Sequence, residues 1–155
     1  MKLNIIQEGG QKMSGFINVS DDWSRTADDE IEFCRLGNLD PIVDDGEAQY
    51  ILARDIVNYL RQDELFESLS HWISKLSHGG VICIGSADIN EVCRMIYNGE
   101  ISGQDIGDVL YGSGENIKKS SMWSDLLIDF LRSKGLKILK ARLERYHLIV
   151  EAQRL

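Results

Sequence analysis

The sequence predicts an α/β fold built on a mostly parallel sheet, with an antiparallel strand near its C-terminus. Short apolar runs that are typical of strands alternate with segments whose apolar residues recur at helical spacing. Residues 81–84 (VICI) form a continuous apolar run, as expected for a strand that is covered on both faces. The last two predicted strands, near residues 137–143 and 147–152, lie close enough in sequence to pair as a hairpin.

Four short strands are predicted before the first clear helix, over residues 2–6, 16–19, 31–36 and 50–53. The third alternates apolar and polar residues, which indicates an edge strand. The helix follows from Asp63, because six apolar side chains then fall on one face: Leu65, Phe66, Leu69, Trp72, Ile73 and Leu76. Gly79 and Gly80 are expected to end this helix, with His78 in its last turn. The strands on either side make a right-handed βαβ unit.

The second half contains two further predicted helices, over residues 90–97 and about 122–133. Between them, residues 99–114 hold five glycines and are expected to form a surface loop with one helical turn. A lid over the ligand end of the sheet is the alternative for this segment.

Length and composition favour a single domain over residues 1–155. The chain has 155 residues, of which 43% are hydrophobic, enough for one core. No run approaches the roughly 20 apolar residues of a membrane span, and the first residues are too short for a signal peptide. Cys34, Cys83 and Cys93 are widely spaced, with no Cys-x-x-Cys pair. We therefore expect buried, reduced thiols, a cytoplasmic location and no metal site.

The net charge of −8 is concentrated in one segment. Residues 21–50 carry ten acidic side chains and two arginines, which account for the whole net charge. An acidic edge repels phosphates, so direct binding to nucleic acid is not expected. Residues 132–145 carry six basic side chains and only Glu144 as an acid. This basic stretch is either a solvated surface or a dock for an anionic group or a second subunit.

Ligands of open parallel sheets bind beyond the carboxyl ends of the strands, which directs attention to two turns. Glu8, Gly9 and Gly10 follow the first strand, where glycines allow the backbone to approach a ligand. A phosphate cradle is not predicted, because the G-x-G-x-x-G spacing is absent. Ser20 and Asp21 follow the second strand, where an acid can hold ribose hydroxyls or simply form a polar turn.

Asp55 and Tyr59 follow the fourth strand and are the candidates for contact with a substrate. The alternative is that they form the polar face of the helix that begins nearby. No Ser/His/Asp or Cys/His order is evident, and His147 is expected to be structural.

The chain resembles the small bacterial and phage S-adenosylmethionine-dependent methyltransferases of the class I, type 11-like group. Residues 2–5 (KLNI) and 9–19 (GGQKMSGFINV) resemble their opening K-L-N-x-G-C-G and G-[FWY]-x-N-V-D. Residues 76–84 (LSHGGVICI) resemble L-K-P-G-G-x-L-x-I, and residues 150–152 (VEA) resemble the closing strand. The resemblance covers nearly the whole chain. It implies a Rossmann-like methyltransferase fold with a mostly parallel twisted sheet, an antiparallel C-terminal strand and reduced helices.

The departures from this family fall on its cofactor site. The family's G-C-G lies against Gln7-Glu8-Gly9, and its ribose-binding acid is Ser20 here, with Asp21 one place later. The family's H-V-L-E-H segment after the fourth strand corresponds to residues 55–59 (DIVNY) in this chain. Gln7 and Glu8 are expected to crowd the cofactor, and several such losses together would cost several kcal/mol. The sequence therefore favours a protein that takes no cofactor and acts by binding a protein partner or a second copy of itself.

The alternative is an active enzyme, and the sequence leaves the question of activity open. The resemblance then implies S-adenosylmethionine as cofactor and a small-molecule or sugar-type acceptor. Glu8, Gly9, Gly10, Ser20 and Asp21 would contact the cofactor, and Asp55 or Tyr59 would act as the base. Methyl transfer needs mainly the alignment of donor and acceptor, so the absent histidines do not exclude it.

Overall fold

The computed structural model describes residues 1–7, 9–25, 27–114 and 116–155. Its strands are β1 (Lys2–Ile5), β2 (Ile17–Ser20), β3 (Ile31–Phe33), β4 (Ala48–Ala53), β5 (Leu76–Ala87), β6 (Gly112–Ser113), β7 (Asn116–Ile117), β8 (Leu136–Glu144) and β9 (His147–Arg154). Its α-helices are α1 (Leu65–Lys75), α2 (Ile89–Tyr97), α3 (Gln104–Tyr111) and α4 (Ser124–Ser133).

Seven of the strands in the described residues form one sheet in the order β3-β2-β1-β4-β5-β9-β8. All neighbours from β3 to β5 are parallel, whereas β9 runs antiparallel to both β5 and β8. This confirms the predicted α/β class, the antiparallel strand near the C-terminus and β3 as an edge strand. The strand order reverses between β1 and β4, which creates a crevice at their carboxyl ends.

The main core lies on one face of the sheet, beneath α1 and α4. Leu69 and Trp72 of α1 and Leu127 and Leu131 of α4 are fully buried in this cluster. The opposite face has only a small apolar cluster, which is made of Leu52, Cys83 and Ile149 with Phe16 and Tyr50 against them. None of these five residues belongs to a helix, and the short β1–β2 connection forms no α-helix in its described part.

The prediction that Gly79 and Gly80 end the first helix is wrong. Helix α1 ends at Lys75, and both glycines lie within β5, as does the exposed His78. Gly79 has a φ of +76°, and a Cβ on Gly80 would lie 2.8 Å from the carbonyl oxygen of Ala48. The glycines are therefore needed for an irregular strand at close approach to β4, where the pairing register shifts.

The glycine-rich segment is more regular than predicted. In place of a loop with a single helical turn, it forms α3 and, with residues beyond it, the β6–β7 hairpin. Gly103 and Gly112 flank α3, with φ angles of +60° and +83° that favour glycine. The glycines thus mark the ends of the helix.

The three cysteines are free thiols, but they differ in exposure. Cys34 and Cys83 are buried as predicted, whereas Cys93 is exposed. The prediction for Cys93 is wrong because Val92 and Met95 occupy the inward positions of the amphipathic α2. No helix among the described residues has both the length and the apolar character needed to cross a bilayer.

Candidate functional site

A cleft follows the carboxyl ends of β2, β1 and β4. Two cavities, of about 130 and 510 Å³, share Asp21, Leu36 and Leu60 in their walls. A third cavity of about 410 Å³ lies where the strand order reverses, between β1 and β4. Gln7 lines both the third cavity and the smallest one. Together the cavities are in the size range of small-molecule sites.

The turn after β1 forms the wall between the cavities. The N–H of Gly10 donates to the carbonyl of Gln7 at 2.9 Å, which closes the turn. Gly9 has a φ of +70°, and a Cβ on Gly10 would lie 2.9 Å from the Gln7 carbonyl oxygen. Both glycines are thus required by the turn, and both line the third cavity. Glu8, the remaining candidate here, lies outside the described residues.

Gln7 lines the third cavity on one side and the smallest cavity on the other. Its Oε1 atom is buried and has no hydrogen-bond partner among the described residues. An unsatisfied buried acceptor costs roughly 1–3 kcal/mol, so such atoms in native proteins call for an explanation.

Of the two candidates after β2, only Asp21 faces the cleft. Ser20 is fully buried, and its Oγ accepts a hydrogen bond from the N–H of Asp22 at 3.0 Å. Asp21 retains solvent exposure, but partial desolvation raises the pKa of its carboxyl group, against the opposing effects of its backbone hydrogen bond and Lys119. An ionisable carboxylate therefore lies in the cleft at the carboxyl end of β2.

Tyr59 and Asp55 lie in different parts of the cleft. Tyr59 shares the smallest cavity with Gln7 and Asp21. Burial raises the pKa of its phenol, with Gln7 acting in the opposite sense, so the group stays protonated at neutral pH. Asp55 lines the third cavity and, next to it, a fourth of about 130 Å³. Its φ of +58° lies in the left-handed region, which aspartate adopts more readily than most residues other than glycine.

The fourth cavity brings together residues that the sequence did not associate. Gly85 of β5, Glu144 at the end of β8 and His147 at the start of β9 line it beside Asp55. From the sequence, His147 is expected to be structural. The proximity of His147 to Asp55 depends on the strand order, which the sequence did not reveal. Because β9 pairs directly with β5, the turn between β8 and β9 lies near the carboxyl end of β4.

Asn58 positions the segment that closes the smallest cavity. Its carbonyl accepts a hydrogen bond from the N–H of Lys119 at 2.7 Å, and its Oδ1 accepts one from the N–H of Ala87 at 2.9 Å. Asn116, Ile117 and Lys119 consequently lie over the wall formed by Tyr59. The sequence offered no signal for this role beyond a polar residue after a strand.

The donor set of the cleft does not suit a metal ion. No group of three or more His, Cys, Asp or Glu side chains in the described ranges is arranged to hold one. The ligand chemistry of the cleft is instead that of single carboxylates, amides, a guanidinium and glycine backbone.

Solved methyltransferases share this fold. 1,6-Didemethyltoxoflavin-N1-methyltransferase from Burkholderia thailandensis, with bound 1,6-didemethyltoxoflavin and S-adenosylhomocysteine, matches with a TM-score of 0.59 and 11% identity, over 98% of this chain and 70% of its own. Magnesium protoporphyrin IX methyltransferase from Synechocystis, with bound S-adenosylhomocysteine, matches with a TM-score of 0.58 and 11% identity, over 99% and 74%. A methyltransferase from Archaeoglobus fulgidus matches with a TM-score of 0.62 and 11% identity, over 99% and 86%.

The chain has the Rossmann-like fold of the S-adenosylmethionine-dependent methyltransferases. No protein-family model matches it, and no curated protein matches it by sequence. The expectation that the chain takes no cofactor is wrong: two of these neighbours, which share its fold over nearly its whole length, hold S-adenosylhomocysteine.

Proposed function

We propose that this protein binds S-adenosylmethionine in the cleft and transfers its methyl group to a small acceptor. The observation that carries the proposal is Asp21, a carboxylate at the end of β2 in a cleft that continues to the reversal of strand order. Doubly wound sheets bind nucleotide-like ligands at this place, with an acid on the ribose hydroxyls. We also propose that residues 1–155 act as a single domain.

The residues of the cleft fit the cofactor. Asp21 would accept hydrogen bonds from the ribose, and the turn at Gly9 and Gly10 would allow close approach of the backbone. Gln7 lies beside this turn and lines both the third cavity and the smallest one. When bound, the cofactor would supply an activated methyl group. The protein then has to hold donor and acceptor in line and keep water out.

The fourth cavity is our candidate for the acceptor site. It shares Arg54 and Asp55 with the third cavity, so an acceptor there would lie next to the cofactor. Asp55 is a better candidate for the base than Tyr59, because the raised pKa of Tyr59 keeps its phenol protonated. The volume of about 130 Å³ admits a small group, in agreement with a small-molecule or sugar-type acceptor.

Titration calorimetry with S-adenosylmethionine and S-adenosylhomocysteine tests the proposal. We expect micromolar binding, and about tenfold weaker binding in Asp21→Asn, because a charge-assisted hydrogen bond is replaced by a neutral one. Asp129→Asn in α4 is the control, since Asp129 lines none of the four cavities. The proposal fails if the protein shows neither heat nor a thermal shift at millimolar cofactor.

A second candidate is a protein that holds the cofactor but acts by binding a partner protein or a second copy. The basic edge strand β8 favours it, because Leu139 and Leu143 are 46% and 48% exposed there, among cationic side chains. Formation of S-adenosylhomocysteine with a panel of hydroxyl and amine acceptors separates the two functions. Cofactor binding without any turnover, together with salt-sensitive self-association that Lys140→Glu reduces, would favour the second.

A further inference from the structure

The main sheet ends on each side in an edge strand. Within the described residues, β3 pairs only with β2, and β8 pairs only with β9. The outer backbone groups of such edge strands can engage another chain. Exposed apolar side chains lie at both edges: Leu139 and Leu143 in β8 and, beside β3, Trp23, whose ring stacks on Phe33 with 5.8 Å between the centroids. Each edge thus offers apolar surface to a partner.

The β3 edge of the sheet is acidic. Residues 28–32 (DDEIE) lead into β3 and carry four carboxylates. Lys12 contacts two of them. Asp29 and Glu32 are exposed, and neither forms an ion pair with a residue that the structure describes. Their charges therefore face the solvent without a counter-charge in that part of the chain.

The β8 edge of the sheet is basic. Lys137 and Lys140 are exposed and have no ion pair in the described ranges, whereas Arg142 is paired with Glu144 at 3.0 Å. A strand edge that carries lysines repels an identical edge, and proteins use this repulsion to prevent edge-to-edge association. The lysines of β8 therefore disfavour contact between two β8 strands, but they favour contact with an acidic edge.

The two edges cannot neutralise each other within one chain. Six interstrand spacings of about 4.8 Å separate β3 from β8, which is roughly 29 Å along the sheet. The Debye length at physiological ionic strength is about 8 Å, so salt screens the edges of one chain from each other. Neutralisation of one edge by the other requires a second molecule.

We propose that the β8 edge of one molecule docks onto the β3 edge of a second copy. Lys137 and Lys140 then face Asp29 and Glu32, and the apolar side chains of β8 contact Trp23. The contact is heterologous, because each partner uses a different surface, and it leaves one free edge of each kind on the pair. Further copies can therefore add in a row.

This assembly goes beyond the proposed methyl transfer. None of the residues at the contact lines the third, fourth or smallest cavity, or the cavity of about 510 Å³. Docking and cofactor binding therefore use separate surfaces, and each can be measured without the other.

Sedimentation velocity measures the association of the unaltered protein. In 0.1 M sodium chloride, we expect the weight-average mass to rise above that of one chain as the protein concentration increases from micromolar to millimolar. In 1 M salt we expect the mass of a single chain throughout, because the Debye length falls from about 10 Å to about 3 Å.

Two double variants identify the edges that meet. Lys137→Gln/Lys140→Gln neutralises the β8 edge and keeps the β3 edge, whereas Asp29→Asn/Glu32→Gln does the reverse. Each variant alone should associate about tenfold more weakly, because two pairs of complementary charges are lost from the contact. An equimolar mixture should form a 1:1 dimer that grows no further, because each variant contributes its one unaltered edge.

The matched control changes the net charge at another place. Asp105→Asn/Asp108→Asn neutralises two exposed aspartates of α3 and should associate as the unaltered protein does. Trp23→Ala should weaken the association without any change in charge. Thermal unfolding checks that every variant is folded.

Three results would overturn the proposal. The first is a single chain at millimolar concentration in 0.1 M salt, and the second is a mixture of the two double variants that forms no dimer. The third is an Asp29→Asn/Glu32→Gln variant that associates as strongly as the unaltered protein, because the β8 edge would then dock onto a different surface. Calorimetry with S-adenosylhomocysteine should give equal binding in all variants, which tests the proposed function separately.

Discussion

Lys75 is a buried cation that is held by two aspartates of the acidic segment. Its side chain is only 3% exposed, and its Nζ contacts Asp40 and, at 2.7 Å, Asp45. Burial alone lowers the pKa of Lys75, but the hydrogen bonds with both aspartates outweigh it and raise the pKa above its usual 10.5. Two aspartates of the acidic segment, residues 21–50, therefore stabilise the fold by neutralising Lys75, in addition to the solvated surface that the segment forms.

The pH dependence of stability should report this ion pair. The hydrogen bond from Lys75 lowers the pKa of Asp45 below its usual 3.8, with a further contribution from Ser74. A carboxyl whose pKa is lower in the folded state stabilises it above the unfolded pKa, and that stability is lost as the pH falls through the folded value. We expect the acid limb of a urea-unfolding series, from pH 5 to pH 2, to be shallower in Asp45→Asn. If the pH dependence of the free energy of unfolding is the same in Asp45→Asn, other carboxyl groups cause the acid sensitivity. Asp129→Asn serves as the control.

Asp88 joins two helices through one carboxylate. Its Oδ1 accepts a hydrogen bond from the N–H of Glu91 at the start of α2, and its Oδ2 accepts one from the N–H of Ser124 at the start of α4. Each bond satisfies a donor that a helix N-terminus leaves unpaired. A single buried side chain therefore orients both helices relative to β5.

At the scale of elements, a crowded glycine in β5 and an uncrowded glycine in α3 test how strongly the close approach of β5 to β4 constrains the chain. Gly80→Ala should destabilise the protein by about 1–3 kcal/mol, because the new Cβ would lie 2.8 Å from the carbonyl oxygen of Ala48 and 2.9 Å from that of Ser77. Gly107→Ala lies in α3 with open space around it and should stabilise by about 0.5–1 kcal/mol.

Urea unfolding of both variants measures this contrast in the free energy of unfolding. If the two substitutions change the free energy of unfolding equally, the close approach of β5 to β4 does not make Gly80 sensitive to substitution. The comparison is matched, because both changes add the same methyl group to the same residue type.

At the scale of the whole molecule, we predict one cooperative unit. The sheet joins β3 and β8, which lie far apart in sequence, through strands that share one core beneath α1 and α4. Urea unfolding followed by tryptophan fluorescence and by circular dichroism should therefore give coincident single transitions. Transitions separated in urea concentration would instead divide the chain into more than one domain.

Much of the architecture was predictable, because strand and helix periodicity is a property of consecutive residues. The presence of α1, the approximate spans of α2 and α4, the antiparallel β8–β9 hairpin and the class of the fold all follow from such local patterns. Asp21 was also accessible to sequence reasoning, since an acid directly after a strand occupies the ligand edge of a parallel sheet. The roles of Gly9, Gly10 and Asp21 toward a cofactor remain predictions.

The functional detail was decided by tertiary structure. Residues 79–80 were misassigned because a glycine pair ends a helix or permits close strand packing, and only the neighbour Ala48 distinguishes the two. Asp55 and His147 share a cavity only because β9 inserts between β5 and β8. The sequence by itself thus determined the fold and the edge of the sheet that carries the cleft, since both follow from local periodicity. The chemistry of the cleft arises from contacts between residues distant in sequence, and only the tertiary structure specified it.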